Sequence, residues 1–463
     1  MTSAYTLPPA SLLTTGDPPR ATSPDCDHTA AVLAGVLDQH GVDAQVTRYQ
    51  RGPTVTRYEI QVGYGTRVQA VTRLAPDIAY AMGTSTVRVL APVEGKTAIG
   101  VEAPNTVRDT VTLGDVLPAP GDGSPLVVGL GRDMDGQPVT ADLAKMPHLL
   151  IGGATGAGKS VCVNTIITSQ LARCTPAQVR LVLVDPKRVE LAPYAGIPHL
   201  AMPIVTDPAR AVTALRTVVA EMDRRYQLLA DAGVRNIDAY NTRAGTPLPY
   251  LVTVIDELAD LMMVAGKAVE ASVVRITQLG RAAGVHMVVA TQRPSVNVVT
   301  GLIKANIPSR LAFTTASQVD SRVILDQTGA QHLTGKGDGL FLPVGALVPA
   351  RVQAAYVADS EIDAVAAWCI IQAARVASMA ATAPSAATCG RHARPGDGDD
   401  AEQVIREAAG LVTSTRFGSA SMIARRLKLP MDAARDVMVE LERRGVVGPL
   451  NGSLRPVLAP RSA

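Results

Sequence analysis

The sequence predicts an α/β fold built on a parallel β-sheet, with a small domain before it and another after it. Four short apolar runs end abruptly, three at polar residues and one at a glycine-rich loop, which is typical of buried parallel strands. A glycine-rich loop follows one of these runs and precedes a helical pattern, as in open α/β sheets that bind ligands at their strand ends. Aromatic residues are only 3% of the chain and hydrophobic residues are 47%, so the core must consist mainly of aliphatic side chains, which suits a parallel sheet.

The glycine-rich loop matches the pattern G-x-x-x-x-G-K-[ST], which binds the phosphates of nucleoside triphosphates. A predicted strand over 148–151 precedes the loop and a predicted helix over 161–171 follows it, so the positive end of that helix faces the phosphates. Lys159 is expected to place its charge against the β and γ phosphates of ATP, and the Ser160 hydroxyl to ligate Mg²⁺. The residues expected to bind ATP are Gly153, Ala154, Thr155, Gly156, Ala157, Gly158, Lys159, Ser160 and Val161.

A second apolar run, over 250–255, ends at Asp256 and Glu257. Because the carboxyl ends of parallel strands lie along one edge, we expect both carboxylates beside the glycine-rich loop. Asp256 is predicted to hold Mg²⁺ through water, and Glu257 to orient and polarise the water that attacks ATP. The alternative interpretation is an ordinary solvated acidic turn.

A third run, over 285–290, ends before Gln292, which is predicted to sense the γ-phosphate or the attacking water. An ordinary polar cap of the strand is the alternative for Gln292. A fourth run, over 180–184, ends at Asp185. Together the four strand ends predict a RecA-like P-loop ATPase core with ATP and Mg²⁺ as cofactors.

Composition shifts predict five segments along the 463 residues. The large α/β core is expected to lie between a small α+β module, with a hairpin around Arg51-Gly52-Pro53, and a C-terminal domain beyond a linker rich in Ala, Ser, Pro and Gly. The predicted segments are a flexible tail at 1–24, the α+β module at 25–118, the ATPase core at 119–365, a helix and linker at 366–398, and the C-terminal domain at 399–463.

The C-terminal domain is predicted to be a winged helix. Helical patterns over 401–411, 421–427 and 431–444 precede a hairpin with a tight Asn451-Gly452 turn. Residues 401–463 carry ten Lys or Arg against six Asp or Glu, which favours nucleic acid as a partner.

Within this domain, Arg435 on the third helix and Arg455 beside the wing are the expected contacts with double-stranded DNA. A winged helix that binds protein is the alternative.

Several motifs resemble the FtsK/SpoIIIE family of DNA translocases. They include Asp185-Pro186-Lys187 and Asp256-Glu257-Leu258. Residues 51–58 are similar to part of the family's α subdomain, and the C-terminal domain resembles its γ winged helix. The resembling segments are 185–191, 196–200, 256–262, 280–310 and 320–327.

The resemblance implies a hexameric ring around duplex DNA that uses ATP hydrolysis to move chromosomal DNA during segregation or division. It also implies that an arginine of one subunit reaches the ATP of the next. Arg310, just before a predicted strand over 311–314, is the first candidate, and Arg281 is the second.

Two departures from the family affect these expectations. The family carries N-terminal membrane helices, whereas no segment of this chain predicts one, so we expect a cytoplasmic chain, with a separate membrane or septal anchor protein as a candidate partner. The family's recognition helix reads Asn-Arg-Ala-Ala-Arg, whereas residues 431–435 here read Met-Asp-Ala-Ala-Arg, with an acidic residue in place of an arginine.

Three other functions remain open at this point. The motor could transfer plasmid or phage DNA, or an ATPase of this core could move protein cargo. A DNA-binding regulator with a vestigial ATPase is the third, which the intact Lys159, Ser160, Asp256 and Glu257 argue against.

Overall fold

The computed structural model divides the chain into two compact units, Met1–Ala383 and Pro384–Ala463. The first unit contains two β-sheets, and the described part of the second contains helices and an isolated β-bridge. The residues that the structure describes are 5–16, 24–93, 95–382, 405–413, 420–427, 431–448 and 457–458.

The first sheet has four antiparallel strands in the order β1-β2-β4-β3. The predicted hairpin is present, because β1 and β2 pair on either side of the turn at Gly52-Pro53. Helices cover the sheet, and Leu33, Ile60, Ile78 and Val101 are fully buried between the two layers. The elements of this module are β1 (Ala44–Arg51), β2 (Val55–Val62), β3 (Arg88–Leu90), β4 (Ile99–Pro104), α1 (Pro24–Gln39), α2 (Val68–Thr72) and α3 (Ala75–Ala81).

The second sheet has nine strands in the order β6-β5-β13-β12-β11-β7-β10-β9-β8. The five strands from β11 to β8 are parallel, as the sequence predicts, whereas β12, β13, β5 and β6 extend one side of the sheet in antiparallel pairing. The strands are β5 (Val127–Arg132), β6 (Pro138–Asp142), β7 (His148–Gly152), β8 (Val179–Val184), β9 (Tyr250–Ile255), β10 (Val285–Thr291), β11 (Ser309–Phe313), β12 (Asp338–Leu342) and β13 (Ala350–Ala354).

Helices cover both faces of this sheet. Leu149 and Ile151 of β7 belong to one apolar cluster and Leu150 to the other, because successive side chains of a strand point to opposite faces. Burial on both faces explains why the predicted strands are almost wholly apolar. The helices of this part are α4 (Leu113–Val116), α5 (Lys159–Arg173), α6 (Pro208–Asp231), α7 (Ile237–Arg243), α8 (Leu258–Ala283), α9 (Gly301–Asn306), α10 (Gln318–Leu325) and α11 (Asp359–Thr382).

Helix α11 runs through the segment boundary that the sequence predicts at 365/366. Ile362, Val365, Ala366 and Cys369 are buried in the core of the large sheet, so the α/β core extends further along the chain than predicted. The helix is rich in alanine, and no helix among the described residues is long and apolar enough to cross a bilayer.

The described residues of the second unit form three helices, α12 over 405–413, α13 (Ala420–Leu427) and α14 (Met431–Arg443). Ala408, Ile423, Ala434 and Leu441 are fully buried among them. After α14 the chain turns at a glycine of positive φ, and Val447 then pairs antiparallel with Val457. The predicted Asn451-Gly452 turn lies outside the described residues, so the winged helix stays a prediction.

A buried ion network joins the α+β module to the large sheet. The Arg351 guanidinium on β13 lies 2.6 Å from a Glu102 carboxylate oxygen on β4 and 2.6 Å from an Asp338 oxygen on β12. Arg57 and Arg88 of the module also contact Glu102, at 2.9 and 3.4 Å. Burial alone would raise the pKa of Glu102, but Arg351, Arg88 and Arg57 lower this pKa to about 2.

We predict that Glu102→Gln lowers the free energy of unfolding by roughly 3–5 kcal/mol at neutral pH, since it leaves buried guanidinium groups without their carboxylate. Because the pKa of Glu102 is lowered from its usual 4.5 to about 2 on folding, its stabilisation is complete above the usual value and declines as the pH falls toward 2. Urea unfolding of both proteins should therefore give a difference that shrinks under acid.

Asp223→Asn is the matched control, because Asp223 pairs with Arg275 and both side chains are about half exposed. We expect that change to cost about 0–1 kcal/mol, as for other surface pairs. An equal, small cost for both variants would contradict a structural role for the Glu102 network.

Candidate nucleotide-binding site

The glycine-rich loop lies between the end of β7 and the start of α5, as predicted. Backbone hydrogen bonds fix the loop to its surroundings. The Ala154 N–H donates to the Thr314 carbonyl at 2.8 Å, and the Gly337 N–H donates to the Ala157 carbonyl at 2.9 Å. The N-terminus of α5 therefore opens directly onto the concave side of the loop, where a phosphate group is favoured.

Two glycines of the loop have backbone conformations that L-amino acids rarely adopt. Gly156 has a φ of 75° and Gly158 a φ of 120°. A Cβ at Gly158 would lie 2.7 Å from the Gly337 Cα, whereas nothing lies within 4 Å of a Cβ at Gly156. Gly158 is therefore required both by its φ and by the close approach of another backbone.

Lys159 points into the sheet edge and contacts Asp256, so two residues that the sequence predicts separately at the site lie together. The Lys159 Nζ donates to the main-chain oxygen and to the Oδ1 of Asp256, both at 2.6 Å. Both side chains are almost completely buried. Burial raises the pKa of Asp256, and the Lys159 charge opposes that rise.

The residues at this edge fit Mg²⁺. The buried Oδ2 of Asp256 has no hydrogen-bond partner, so this oxygen is available to accept from water. The Ser160 hydroxyl donates to Glu190 at 2.8 Å, which places two more hard oxygen ligands nearby. No group of three or more His, Cys, Asp or Glu residues in the described part of the chain forms a metal cage. Mg²⁺ at phosphates needs none, because water and phosphate oxygens complete its shell.

Glu257 caps the first turn of α8 and is held from two neighbouring strand ends. Its carboxylate accepts from the Thr291 hydroxyl at 2.7 Å and from the Gln292 N–H at 3.2 Å. The Lys187 ammonium donates to the second carboxylate oxygen at 3.1 Å. This buried carboxylate therefore has a defined orientation beside the loop, as an acceptor for the proton of a water would need.

Gln292 lies opposite the glycine-rich loop. Its side-chain oxygen accepts from the Thr155 hydroxyl at 2.9 Å. The structure thus brings together the loop, the carboxylate pair and Gln292, which the sequence predicts at three separate strand ends.

Two residues of the site have no role in the sequence analysis, although both lie within the 185–191 segment quoted there. Lys187 contacts Glu257, and Glu190 contacts Ser160. The Asp185 carboxylate accepts from three backbone N–H groups of the same loop and folds it over the site. The position of this loop after a buried strand was the available signal.

The sequence predicts Arg310 just before its strand. In the structure Arg310 instead lies inside β11. The side chain is largely buried, forms an ion pair with Asp326 and donates to the carbonyl oxygens of Lys304, Ile307 and Ile324. The strand extends further toward the N-terminus than predicted because Ser309 and Arg310 pair in register with β7. A role of Arg310 at a neighbouring subunit stays a prediction.

Arg281, the second candidate, is exposed in the last turn of α8. It lines a cavity of about 730 Å³ next to His286 and Tyr250, which belong to the amino-terminal ends of β10 and β9. Arg435 is exposed on α14, and Arg455 lies outside the described residues.

The glycine-rich loop, the buried carboxylate pair and the mixed sheet define this chain as a P-loop ATPase. The sequence profile of the FtsK/SpoIIIE family matches residues 118–296, and that of the FtsK alpha domain matches residues 7–105. The chain is 51% identical to DNA translocase FtsK of Mycobacterium leprae over 97% of its own length and 56% of that protein. The same protein of Streptomyces avermitilis is also 51% identical, over 97% of this chain and 51% of the relative.

The chain therefore belongs to the FtsK/SpoIIIE family, as its motifs predict. It spans about half the length of the curated relatives it matches.

Solved structures support the fold. The pCW3 conjugation coupling protein TcpA, solved with ATPgS, has a TM-score of 0.52 and 23% identity over 72% of this chain and 97% of TcpA. EssC (ATPases 2 and 3) from Geobacillus thermodenitrificans has a TM-score of 0.50 and 17% identity, over 60% of this chain and 53% of EssC. At these identities the two structures show a shared fold alone.

We predict that Gly158→Ala is far more damaging than Gly156→Ala, although both glycines have positive φ. Gly156→Ala should cost about 1 kcal/mol of stability through its φ alone. Gly158→Ala should cost about 1–3 kcal/mol more, because its Cβ meets the backbone of Gly337. Chemical denaturation measures both costs. ATP binding by calorimetry should be lost only in Gly158→Ala, and equal behaviour of the two variants would contradict the loop geometry.

Proposed function

We propose that this chain is an ATP-driven motor that moves double-stranded DNA, and that the DNA is chromosomal and is moved during segregation or division. The observation that carries the proposal is the group of side chains suited to ATP hydrolysis at one sheet edge. Lys159 contacts Asp256 there, and Glu257 is hydrogen-bonded beside Gln292. DNA as the cargo is supported by similarity, over 97% of this chain and about half of each relative, to proteins named DNA translocase FtsK.

The side chains at the edge would divide the chemistry of ATP hydrolysis among them. Lys159, which contacts Asp256, would pair with the β and γ phosphates of ATP, and the Asp256 carboxylate would then be free to hold Mg²⁺ through water. Bound Mg²⁺ supplies charge neutralisation at the phosphate oxygens. Glu257 would orient the attacking water and accept its proton. Gln292 would hydrogen-bond to the γ-phosphate or to the attacking water from the side opposite the loop.

Two kinds of contact with duplex DNA are part of the proposal. The motor would follow the phosphate backbone, which is alike in every sequence, whereas base edges need a protein element inserted in a groove. We assign the second task to the C-terminal unit, with Arg435 and Arg455 as its DNA contacts. A ring of six copies would surround the duplex, and Arg310 of one copy would act at the ATP of its neighbour.

We expect linear duplex DNA to stimulate ATP hydrolysis by the wild-type chain. Lys159→Ala should abolish hydrolysis because it removes the charge that holds the phosphates. Glu257→Gln should still bind ATP, but turnover should fall by about 100-fold or more, since the amide keeps the shape and loses the base. Steady-state ATPase assays measure turnover, and displacement of a third strand from a triplex measures movement along the duplex.

Asp260→Asn is the matched control, because Asp260 is a carboxylate one turn further along α8 that the site does not use. It should keep wild-type turnover. An ATPase rate that does not change when duplex DNA is added would contradict the proposal of a DNA motor. It would favour a motor that moves protein. Near-normal turnover in Glu257→Gln would contradict the role of Glu257.

We also expect Arg310→Ala to keep its ATP affinity and to lose turnover by about 1000-fold, as other arginines that act between subunits do. Mixing Arg310→Ala with Glu257→Gln should restore part of the activity, because some interfaces then contain both an intact arginine and an intact glutamate. ATPase activity is measured over a series of mixing ratios.

The test of Arg310 needs a fold control, because Arg310 also holds three carbonyl groups and Asp326 within its own chain. Thermal unfolding of Arg310→Ala supplies it. Arg281→Ala, mixed with Glu257→Gln in the same way, is the comparison. If ATPase activity recovers in mixtures with Arg281→Ala but not with Arg310→Ala, the role belongs to Arg281.

A further inference from the structure

The cavity in front of the glycine-rich loop continues beyond the phosphate-binding residues. Its volume is about 540 Å³, within the range of cavities that bind small molecules. Lys159, Ser160 and Val161 line this cavity together with residues 108–111 and 353–356, which form a further wall of it.

The wall formed by residues 108–111 and 353–356 has a hydrogen-bonded backbone and an exposed side chain, that of Tyr356. The Tyr356 N–H donates to the Val111 carbonyl at 2.8 Å, and the Leu113 N–H donates to the Tyr356 carbonyl at 2.9 Å. Despite these bonds on both sides, the Tyr356 side chain is 49% exposed and faces the cavity. An aromatic ring on a rigid backbone, with one side left open, is suited to stacking on a flat ligand.

The rest of the wall is anchored to the α+β module. The Asp109 N–H donates to the Pro53 carbonyl at 2.8 Å, and the Asp109 carboxylate pairs with Arg51 at 2.6 Å. Thr54, from the same hairpin turn, lines the cavity and hydrogen-bonds to Gln353. The wall is therefore a built surface, held by ion pairs and backbone hydrogen bonds.

We propose that this wall binds the nucleobase of ATP, with the Tyr356 ring stacked on the base and residues 108–111 closing its edge. The proposal rests on the proposed function, because the triphosphate is taken to lie on the loop around Lys159. The phosphates and the base are then held in one cavity by different parts of the chain. Tyr356 thus sets the preference of the site for a nucleotide over a bare polyphosphate.

Comparison of two ligands separates base binding from phosphate binding. Calorimetric titrations of the full chain with Mg²⁺ use ATP and inorganic tripolyphosphate, which has the phosphates but no base. The Glu257→Gln background prevents hydrolysis during the titration. Tyr356→Ala should weaken ATP binding roughly tenfold, the usual loss on removing an aromatic ring from a stacked base. Its affinity for tripolyphosphate should not change.

Two further variants complete the test. Tyr356→Phe should restore ATP affinity, since the ring suffices for stacking. Tyr64→Ala removes a fully exposed tyrosine elsewhere on the α+β module and should change neither affinity. Unchanged ATP affinity of Tyr356→Ala, or an equal loss of affinity for ATP and for tripolyphosphate, would overturn the assignment of this wall as the base-binding site. Failure of the parent protein to bind either ligand would instead overturn the proposed function, and the base site with it.

Discussion

The parallel pairing of five neighbouring strands is the constraint on which the site depends. Because β11, β7, β10, β9 and β8 run in one direction, their carboxyl ends lie along one edge of the sheet. Three of these ends supply the glycine-rich loop, Asp256 with Glu257, and Gln292. A shift of β9 by one residue would turn both carboxylates to the opposite faces of the sheet. The close packing of the buried side chains on both faces opposes such a shift, because each side chain fits the space left by its own neighbours.

The charges at this edge are arranged in opposite pairs. Lys159 is buried against Asp256, and Lys187 contacts the buried Glu257. A buried charge without a partner would cost several kcal/mol, so each of these charges needs its partner when no nucleotide is bound. The same pairing opposes the ligand, because phosphates must compete with Asp256 for the lysine. Part of the interaction energy with ATP is thus used to replace one ion partner by another.

The parts of this arrangement that the sequence predicts are those with local signals. The loop has a dense pattern at Gly153 to Ser160, and the apolar strands have sharp polar ends, so Asp256 and Gln292 could be found without a structure. The sequence does not predict the antiparallel strands β12 and β13, and the pairing of β13 with β5 joins segments far apart in the chain. The surroundings of Arg310 depend on Asp326 on another element, and no local pattern indicates that contact.

The ion network at the junction of the two sheets has a consequence for how such chains evolve. Within the α+β module Glu102 keeps Arg57 and Arg88 as partners, and within the large sheet Arg351 keeps Asp338. Each half therefore contains an oppositely charged partner for its own buried residue of this network. Recombination could therefore exchange one half between related genes, provided that a carboxylate is retained opposite Arg351. The two halves match separate sequence profiles, as inheritance in exchangeable pieces would require.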